Sequence, residues 1–109
     1  VATNPAVTAI VAANDMIAVG ALQALHADGL QCPDDISVVG FNDMPFVDQL
    51  SPPLTTVRLP QYEVGMQAAQ LLLEKLADPT ATAKSVMLPV SLVTRGSTGP
   101  CQARRIVAI

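Results

Sequence analysis

The chain has few basic residues, few cysteines and few aromatic side chains. Its 109 residues contain six basic and nine acidic side chains, which give a net charge of −3. A domain that binds nucleic acid by itself normally carries a basic face, so this balance argues against DNA binding by the chain alone. The two cysteines, Cys32 and Cys101, are too few and too far apart for a disulfide scaffold or a zinc site, and we expect free thiols.

The chain also lacks a long apolar run. Polar residues such as Asn14, Gln23 and Asp28 interrupt its most apolar stretch, whereas a membrane span needs roughly 18 or more apolar residues. The first residue is Val1 and no basic segment follows it, so neither a signal peptide nor a natural translation start is expected. Half of the residues are apolar and 14% are charged. This composition predicts a soluble globular chain with room for one ordinary domain, and the N-terminal sequence indicates a fragment or a processed piece of a longer protein.

A strand, a helix and a second strand follow one another near the start of the chain. Residues 8–13 and 36–40 are short apolar runs that are typical of buried strands. Between them a helix is predicted over residues 16–28, with Gly29 as its left-handed stop. Because the connections are short, the unit should be a right-handed βαβ unit with parallel strands. The predicted fold class is α/β, a parallel βαβ sheet with flanking helices.

The first helix carries two apolar stripes. The face predicted to lie on the sheet consists of Ile17, Ala18, Ala21, Leu22 and Leu25. The stripe predicted to point away from the sheet consists of Met16, Val19, Gln23 and His26. The first half of the outer stripe is apolar, which favours burial against a partner chain.

The second half of the chain is predicted to contain another helix. Residues 54–59 should be extended, and Pro60 is well placed at the first turn of a helix over residues 61–77. The apolar face of this helix is Val64, Ala68, Leu71, Leu72 and Leu76. Pro89 cannot donate to a sheet, so it predicts an edge strand, a bend or a crossing between subdomains. Residues 96–109 are expected to form a loose tail.

Polar side chains follow both strands of the βαβ unit. Asn14 and Asp15 come directly after the first strand, and Asn42 and Asp43 come after the second. The carboxyl ends of parallel strands lie at the same edge of a sheet, and ligands of open α/β sheets bind beyond that edge. The sequence therefore predicts a ligand-sensing surface there.

Five segments stand in a characteristic order along the chain. They are Asn14-Asp15, the helix sequence MIAVGALQAL at 16–25, Gly29-Leu30, PDDISVVGF at 33–41 and PLTTV at 53–57. Over about residues 8–98, this ordered set resembles the LacI/GalR family of bacterial transcriptional repressors. Members of that family have an N-terminal helix-turn-helix headpiece and a two-subdomain sensor of the periplasmic binding protein-like I type. The resemblance implies that this chain is the last third of such a sensor.

The resemblance also implies a division of the chain between two subdomains. Residues 1–57 would belong to the C-terminal subdomain, residues 58–88 would cross to the N-terminal subdomain and give it a helix, residues 89–98 would return, and residues 99–109 would be a tail. Residues 55–60 and 88–90 would then be hinge strands, a role for which a few residues at the ends of elements suffice.

Four residues are implied as ligand contacts. Asn14 would face the ligand from the end of its strand, where its amide could donate to and accept from a sugar hydroxyl. The alternative for Asn14 is the N-cap of the helix, although Asp15 is the residue expected in that role. Asn42 stands where sugar-binding relatives often have aspartate, so either the ligand differs from a plain neutral sugar or the site has drifted. Asp43 would partly compensate for the missing aspartate at position 42, or it would have a structural role in a turn. Arg58 would bind a carboxylate or phosphate, pair with a cleft acid, or be solvated.

The function implied by the resemblance is that of a cytoplasmic regulator that binds a small metabolite, a sugar or sugar derivative, as a homodimer. DNA would be bound only through a headpiece that this chain lacks, and a membrane would play no part. The implied dimer surface consists of Met16, Val19, Gln23, Phe46, Val47 and Leu50. The alternative for this surface is packing against the rest of the sensor.

Two other classes of function compete with a regulator. A periplasmic sugar-binding protein of an ABC transporter would share the fold and the cleft. An enzyme is less expected, because the one histidine, His26, has no metal-spaced partner and no G-x-S-x-G motif is present. The absence of G-x-G-x-x-G after either strand also argues against a dinucleotide. We therefore predict no catalytic residues, no metal and no cofactor.

Overall fold

The computed structural model describes residues 6–101. Along this part of the chain the elements are β1 (Ala9–Val11), α1 (Asp15–Ala27), β2 (Ser37–Val39), a 3-10 helix (Val47–Gln49), β3 (Thr56–Arg58), α2 (Gln61–Ala77) and β4 (Ser91–Val93). The described residues form two compact units. The first unit contains residues up to Arg58 and those from Leu92 onwards, and the second unit is Leu59–Ser91.

The βαβ unit of the first unit has the predicted parallel strands. Ala9 lies beside Ser37 and Val11 beside Val39, in parallel register. Each strand has three residues, fewer than predicted, although the backbone N–H of Ala12 still donates to the Val39 carbonyl at 2.8 Å. The prediction of an α/β fold with a parallel βαβ unit is confirmed.

Helix α1 begins one residue before its predicted start and ends at Ala27. Gly29 ends it in the left-handed conformation, with φ of 72°, as predicted. The face packed on the core is narrower than the predicted stripe, since Ala18 and Leu25 are buried whereas Ile17 is 53% exposed. Successive residues of a helix are about 100° apart, so a face centred on Ala18 leaves Ile17 at its margin.

The hydrophobic core of the first unit lies between β2, α1 and the segment that follows β2. Its buried residues are Ala12, Ala18, Leu25, Ile36, Val38, Val47 and Leu54. Val47 is completely buried, because the 3-10 helix turns it inward and its carbonyl accepts the Leu54 backbone N–H at 2.9 Å. The prediction that Val47 lies on a dimer surface is therefore wrong. Leu50 is partly buried and packs against the same core.

The prediction of a loose tail from residue 96 onwards is wrong for the first residues of that segment, because Ser97 is fully buried beside β2. The Val38 backbone N–H donates to the Ser97 carbonyl at 2.9 Å, and the Ser97 hydroxyl donates to the Val38 carbonyl at 2.6 Å. The same hydroxyl accepts the Thr55 backbone N–H at 2.8 Å. Gly99 adds a further bond from its N–H to the Ser37 hydroxyl at 3.2 Å. The part of the predicted tail over residues 102–109 lies outside the described residues.

The second unit is built on α2, which has the predicted bounds, Gln61–Ala77. Pro60 is its N-cap and Asp78 its C-cap. Within the described structure no α2 residue is buried, and of the predicted apolar face only Leu71 is partly covered. Residues 82–90 have no regular secondary structure, so Pro89 precedes β4 rather than lying inside a strand. Strand β4 pairs with β3 in a second two-stranded sheet.

Cys32 and Cys101 are free thiols, as predicted. No helix in residues 6–101 is long and apolar enough to cross a membrane.

Candidate functional site

The segments that follow β1 and β2 meet β3 at one edge of the first unit. The backbone N–H of Asp15 donates to the Phe41 carbonyl at 3.1 Å, and that of Asn42 donates to the Val57 carbonyl at 2.9 Å. Asn42 also forms a parallel bridge with Arg58. The predicted convergence of polar strand ends is confirmed, and β3 joins them as a third contributor.

Asp15 is the buried centre of this edge and is fully enclosed by the protein. Its Oδ1 accepts the Thr56 hydroxyl at 2.7 Å, and its Oδ2 accepts the Met44 backbone N–H at 2.7 Å. A carboxylate at the first residue of a helix is also favoured by the helix dipole. These bonds supply the partners that a buried carboxylate requires, and they join α1, β3 and the segment after β2.

Asn14, rather than Asp15, is the N-cap of α1, so the expectation that Asp15 is the cap is wrong. The backbone of Asn14 is extended, and its Oδ1 accepts the Ile17 backbone N–H at 2.9 Å. The Nδ2 group has no partner among residues 6–101. Capping therefore occupies the acceptor of this amide and leaves its two N–H donors for another group.

Asn42 and Asp43 have an unusual backbone conformation, with φ of 123° and 55°. Positive φ values cost on the order of 1–3 kcal/mol each in residues other than glycine, and such residues cluster at functional sites. Asn and Asp tolerate them better than most residues do. In the sequence, the only sign of this conformation is an Asn-Asp pair after a strand. Such pairs are also common in ordinary turns.

The carboxylate of Asp43 is held between two arginines. Arg58 Nε donates to Oδ2 at 2.7 Å, and Arg95 Nη2 approaches Oδ1 at 2.8 Å. Burial by itself would raise the pKa of Asp43, but the hydrogen bonds and charges of both arginines outweigh it, and the pKa lies below its ordinary value of 3.8. Of the alternatives predicted for Arg58, pairing with an acid is the one that the structure contains.

Arg95 and Thr56 contribute to the site although neither was predicted as a site residue. Arg95 Nη1 donates to the Leu54 carbonyl at 2.9 Å, and its backbone N–H donates to the Thr55 hydroxyl at 2.9 Å. The Thr56 hydroxyl donates to Asp15 and also accepts the Asp43 backbone N–H at 3.3 Å. Their position in and near the extended segments β3 and β4 was readable from the sequence, whereas their partners depend on the tertiary fold.

The predicted dimer residues other than Val47 lie on α1 and around the 3-10 helix. Met16, Gln23 and Phe46 are exposed, and Val19 and Leu50 are partly buried. The outer stripe of α1 is therefore accessible in this chain, as its pattern predicted. Among the described residues, no cluster of three His, Cys, Asp or Glu side chains could hold a metal ion.

The chain is similar to proteins of one family over most of its length. A family model described as a periplasmic binding protein-like domain matches residues 2–98. The HTH-type transcriptional regulator MalR of Streptomyces coelicolor is 43% identical over 98 residues, which are 90% of this chain and 28% of that protein. The lactose operon repressor sequence of Rhizobium radiobacter is 45% identical over 89 residues, which are 82% of this chain and 78% of that sequence.

The fold is similar to that of a solved LacI family regulator. The crystal structure of the LacI family transcriptional regulator from Enterococcus faecalis V583 with bound ribose gives a TM-score of 0.81 at 38% identity, over 87% of this chain and 36% of that chain. The present chain thus spans about a third of the length of these Streptomyces and Enterococcus regulators. The parallel strands, the ordered motifs and these similarities together show that the chain belongs to the LacI/GalR family of transcriptional regulators and carries part of their periplasmic binding protein-like sensor domain.

Proposed function

We propose that this chain is the effector-binding and dimerisation part of a bacterial transcriptional regulator that senses a small metabolite, a sugar or sugar derivative. The observation that carries the proposal is the convergence of polar groups from Asn14, Asn42 and Arg58 at the carboxyl ends of neighbouring strands. An open α/β sheet binds its ligands at such an edge. A few polar groups at fixed positions are what recognition of a polyol requires.

Asn14 and Arg58 would offer donors to the effector. The Asn14 amide uses only its oxygen as a helix cap, and its Nδ2 can donate to a hydroxyl. The Arg58 side chain is 56% exposed and uses its Nε for Asp43, while Nη1 and Nη2 take no partner among residues 6–101. A guanidinium edge of this kind suits a hydroxyl, a carboxylate or a phosphate. Asn42 would contribute an amide from the next strand end.

The two compact units would belong to the two subdomains of the sensor. Residues 1–57 and 89–98 would be part of the C-terminal subdomain, and residues 58–88 would cross to the N-terminal subdomain. Helix α2 exposes Leu72, Leu73 and Leu76, which are more than half exposed. Elements of the N-terminal subdomain outside this chain would cover them, because a helix gains most of its stability from packing its apolar face.

The mechanism would be a shift in population between two closures of the sensor. An effector that contacts both subdomains stabilises one closure by its differential affinity and thereby changes the affinity for DNA. DNA would bind through a helix-turn-helix headpiece outside this chain, and the regulator would act in the cytoplasm. The proposed activity is binding rather than catalysis. Relatives that are transcriptional regulators favour this function over a transporter component.

The dimer surface would be formed by Met16, Val19, Gln23, Phe46 and Leu50, without Val47. Met16 is 56% exposed at the start of α1, and Phe46 is exposed at the start of the 3-10 helix. Exposed apolar side chains of this kind are typical of interaction sites. A two-fold symmetric dimer would bury the same surface on both copies.

Calorimetric titration of the full-length protein with D-ribose, lactose and ribose 5-phosphate tests the proposed function. We expect at least one of them to bind, and Asn42→Ala to weaken that binding by about tenfold, the loss expected for a buried polar contact. The matched control is Gln49→Ala, which removes an exposed amide from the 3-10 helix. Unaltered affinity in both Asn14→Ala and Asn42→Ala would remove these amides from the site.

A further inference from the structure

Two consecutive residues at the proposed effector site have a backbone conformation that their side chains disfavour. Asn42 and Asp43 have φ of 123° and 55°, and among residues 6–101 they are the non-glycine residues with positive φ. Such a conformation persists only where the surroundings determine it strongly. If Asn42 contacts an effector, as proposed above, the conformation of this turn sets the direction in which its side chain is presented.

Backbone hydrogen bonds hold the turn on one side. The N–H of Asn42 donates to the Val57 carbonyl at 2.9 Å, and the N–H of Asp43 donates to the Thr56 hydroxyl at 3.3 Å. The next N–H, that of Met44, donates to Oδ2 of buried Asp15 at 2.7 Å. Three successive donors of the turn are thus fixed to β3 and to the start of α1.

The Asp43 side chain holds the turn on the other side. Its Oδ2 accepts from Arg58 Nε at 2.7 Å and its Oδ1 pairs with Arg95 Nη2 at 2.8 Å, while only 11% of the side chain is exposed. Both oxygens of the carboxylate are therefore already engaged by protein groups. Arg95 Nη1 also donates to the Leu54 carbonyl, so the ion pair is tied to the segment that leads into β3.

We propose that Asp43 is a positioning residue, whose ion pairs with Arg58 and Arg95 hold the left-handed turn that presents Asn42 to the effector, and that Asp43 does not contact the effector itself. This inference rests on the proposed function of the site. It replaces the alternative in which Asp43 supplies a carboxylate ligand in compensation for the amide of Asn42.

A comparison of Asp43→Ala with Asp43→Gly separates the two roles. Both variants remove the carboxylate and its ion pairs. Glycine takes positive φ without the steric penalty that the ion pairs offset, so it should keep the turn without them, whereas alanine retains that penalty. We expect the affinity for the tightest-binding member of the ribose, lactose and ribose 5-phosphate panel to fall by about tenfold in Asp43→Ala and by less than about threefold in Asp43→Gly. Equal losses in both variants would overturn the proposal, because a direct contact is lost in both. No loss in either would overturn it as well.

Asp28 provides the matched control. It is an exposed aspartate at the end of α1 with an ordinary φ of −85°. We expect effector affinity to be unchanged in both Asp28→Gly and Asp28→Ala. Calorimetric titration of the full-length protein measures all four variants. Arg95→Ala should also weaken effector binding, as Asp43→Ala does, because it removes one of the two ion pairs of Asp43.

Amide hydrogen exchange tests the turn without any effector. In Asp43→Ala, the amides of Asn42 and Met44 should exchange about tenfold faster, while that of Val38, bound to Ser97 in the core, should not change. Unchanged exchange at Asn42 and Met44 would overturn the positioning role even if no sugar in the panel binds. Failure of the wild type to bind the panel would instead count against the proposed function alone.

Discussion

The Thr56 hydroxyl donates a 2.7 Å hydrogen bond to Oδ1 of Asp15, and both residues are completely buried. Thr56 begins β3 and Asp15 begins α1, so this bond ties a strand to a helix at the edge where the proposed effector contacts converge. The other oxygen of Asp15 accepts the Met44 backbone N–H. One buried carboxylate therefore fixes the relative positions of three segments that carry the site.

Thr56→Val should lower the free energy of unfolding by about 1–3 kcal/mol, because the buried Asp15 carboxylate loses a donor while the side-chain shape is kept. Thr56→Ser keeps the hydroxyl and loses only a methyl group, for which about 1 kcal/mol is expected. Urea denaturation of both variants and the wild type measures the difference. A larger loss in Thr56→Ser than in Thr56→Val would show that packing, and not the hydrogen bond, stabilises this position.

Gly40→Ala should destabilise the protein because there is no space for a Cβ atom at this position. The added atom would collide with Oδ1 of Asp15 and lie 2.8 Å from Leu54 Cδ2. Overpacking of this kind costs about 1–3 kcal/mol. Gly20 is the control, since its position in α1 has nothing within 4 Å of an added Cβ.

Gly20→Ala should raise the free energy of unfolding by about 0.5–1 kcal/mol, the usual gain for alanine over glycine inside a helix. Thermal unfolding of the two variants gives the sign of each change. If Gly40→Ala were as stable as Gly20→Ala, the close approach of Gly40 to Asp15 would not exist in solution.

Asp43 should make the stability depend on pH in the acid range. Its pKa in the folded protein is lowered below the ordinary 3.8, so its contribution is fully present above about that pH and is lost as the pH falls through the lower folded-state pKa. The difference in unfolding free energy between the wild type and Asp43→Asn should therefore be constant at neutral pH and shrink below pH 3.8.

Chemical denaturation at a series of pH values measures this difference. The control is Asp48→Asn, because Asp48 is exposed and takes part in none of the ion pairs among residues 6–101. We expect the control to change stability by less than about 0.5 kcal/mol at every pH. A wild-type advantage over Asp43→Asn that grows as the pH falls would have the wrong sign for a carboxylate held by arginines.

Met16→Glu should weaken dimerisation of the full-length protein. Met16 is 56% exposed in this chain, so a charge there should leave the monomer intact while opposing burial of the outer α1 stripe. Ala24→Glu is the control, since Ala24 is exposed on α1 outside that stripe. Sedimentation equilibrium gives the dissociation constants. Equal dimer affinity in Met16→Glu and in the wild type would place the interface elsewhere.

The sequence predicted elements whose signals are local. The bounds of α2 follow from Pro60, the apolar spacing and Asp78, and Gly29 marks the end of α1 because glycine readily takes positive φ. The parallel arrangement of β1 and β2 follows from the short connections. The location of Asn14 and Asn42 at the ends of strands could therefore be predicted from the sequence alone.

The remaining features depend on contacts between distant residues. Ser97 lies in a Gly-Ser-Thr-Gly segment with the composition of a loop, yet its hydroxyl satisfies Val38 and Thr55 inside the first unit. The sequence around Val47 resembles a surface loop, but in the structure Val47 lies in a 3-10 helix and is buried. The Asp43 pair with Arg95 joins residues 52 positions apart (95 − 43), and no local pattern indicates such a partner.

The most direct test of the sensor hypothesis is calorimetric titration of the sugar panel into the full-length protein and its Asn14→Asp variant. Aspartate caps a helix as well as asparagine does, so α1 should keep its stability, but it lacks the Nδ2 donors that we assign to the effector. We predict that the wild type binds a sugar and that Asn14→Asp binds it about tenfold more weakly, with unchanged thermal stability. Equal affinity in the two proteins would contradict effector binding at this strand end.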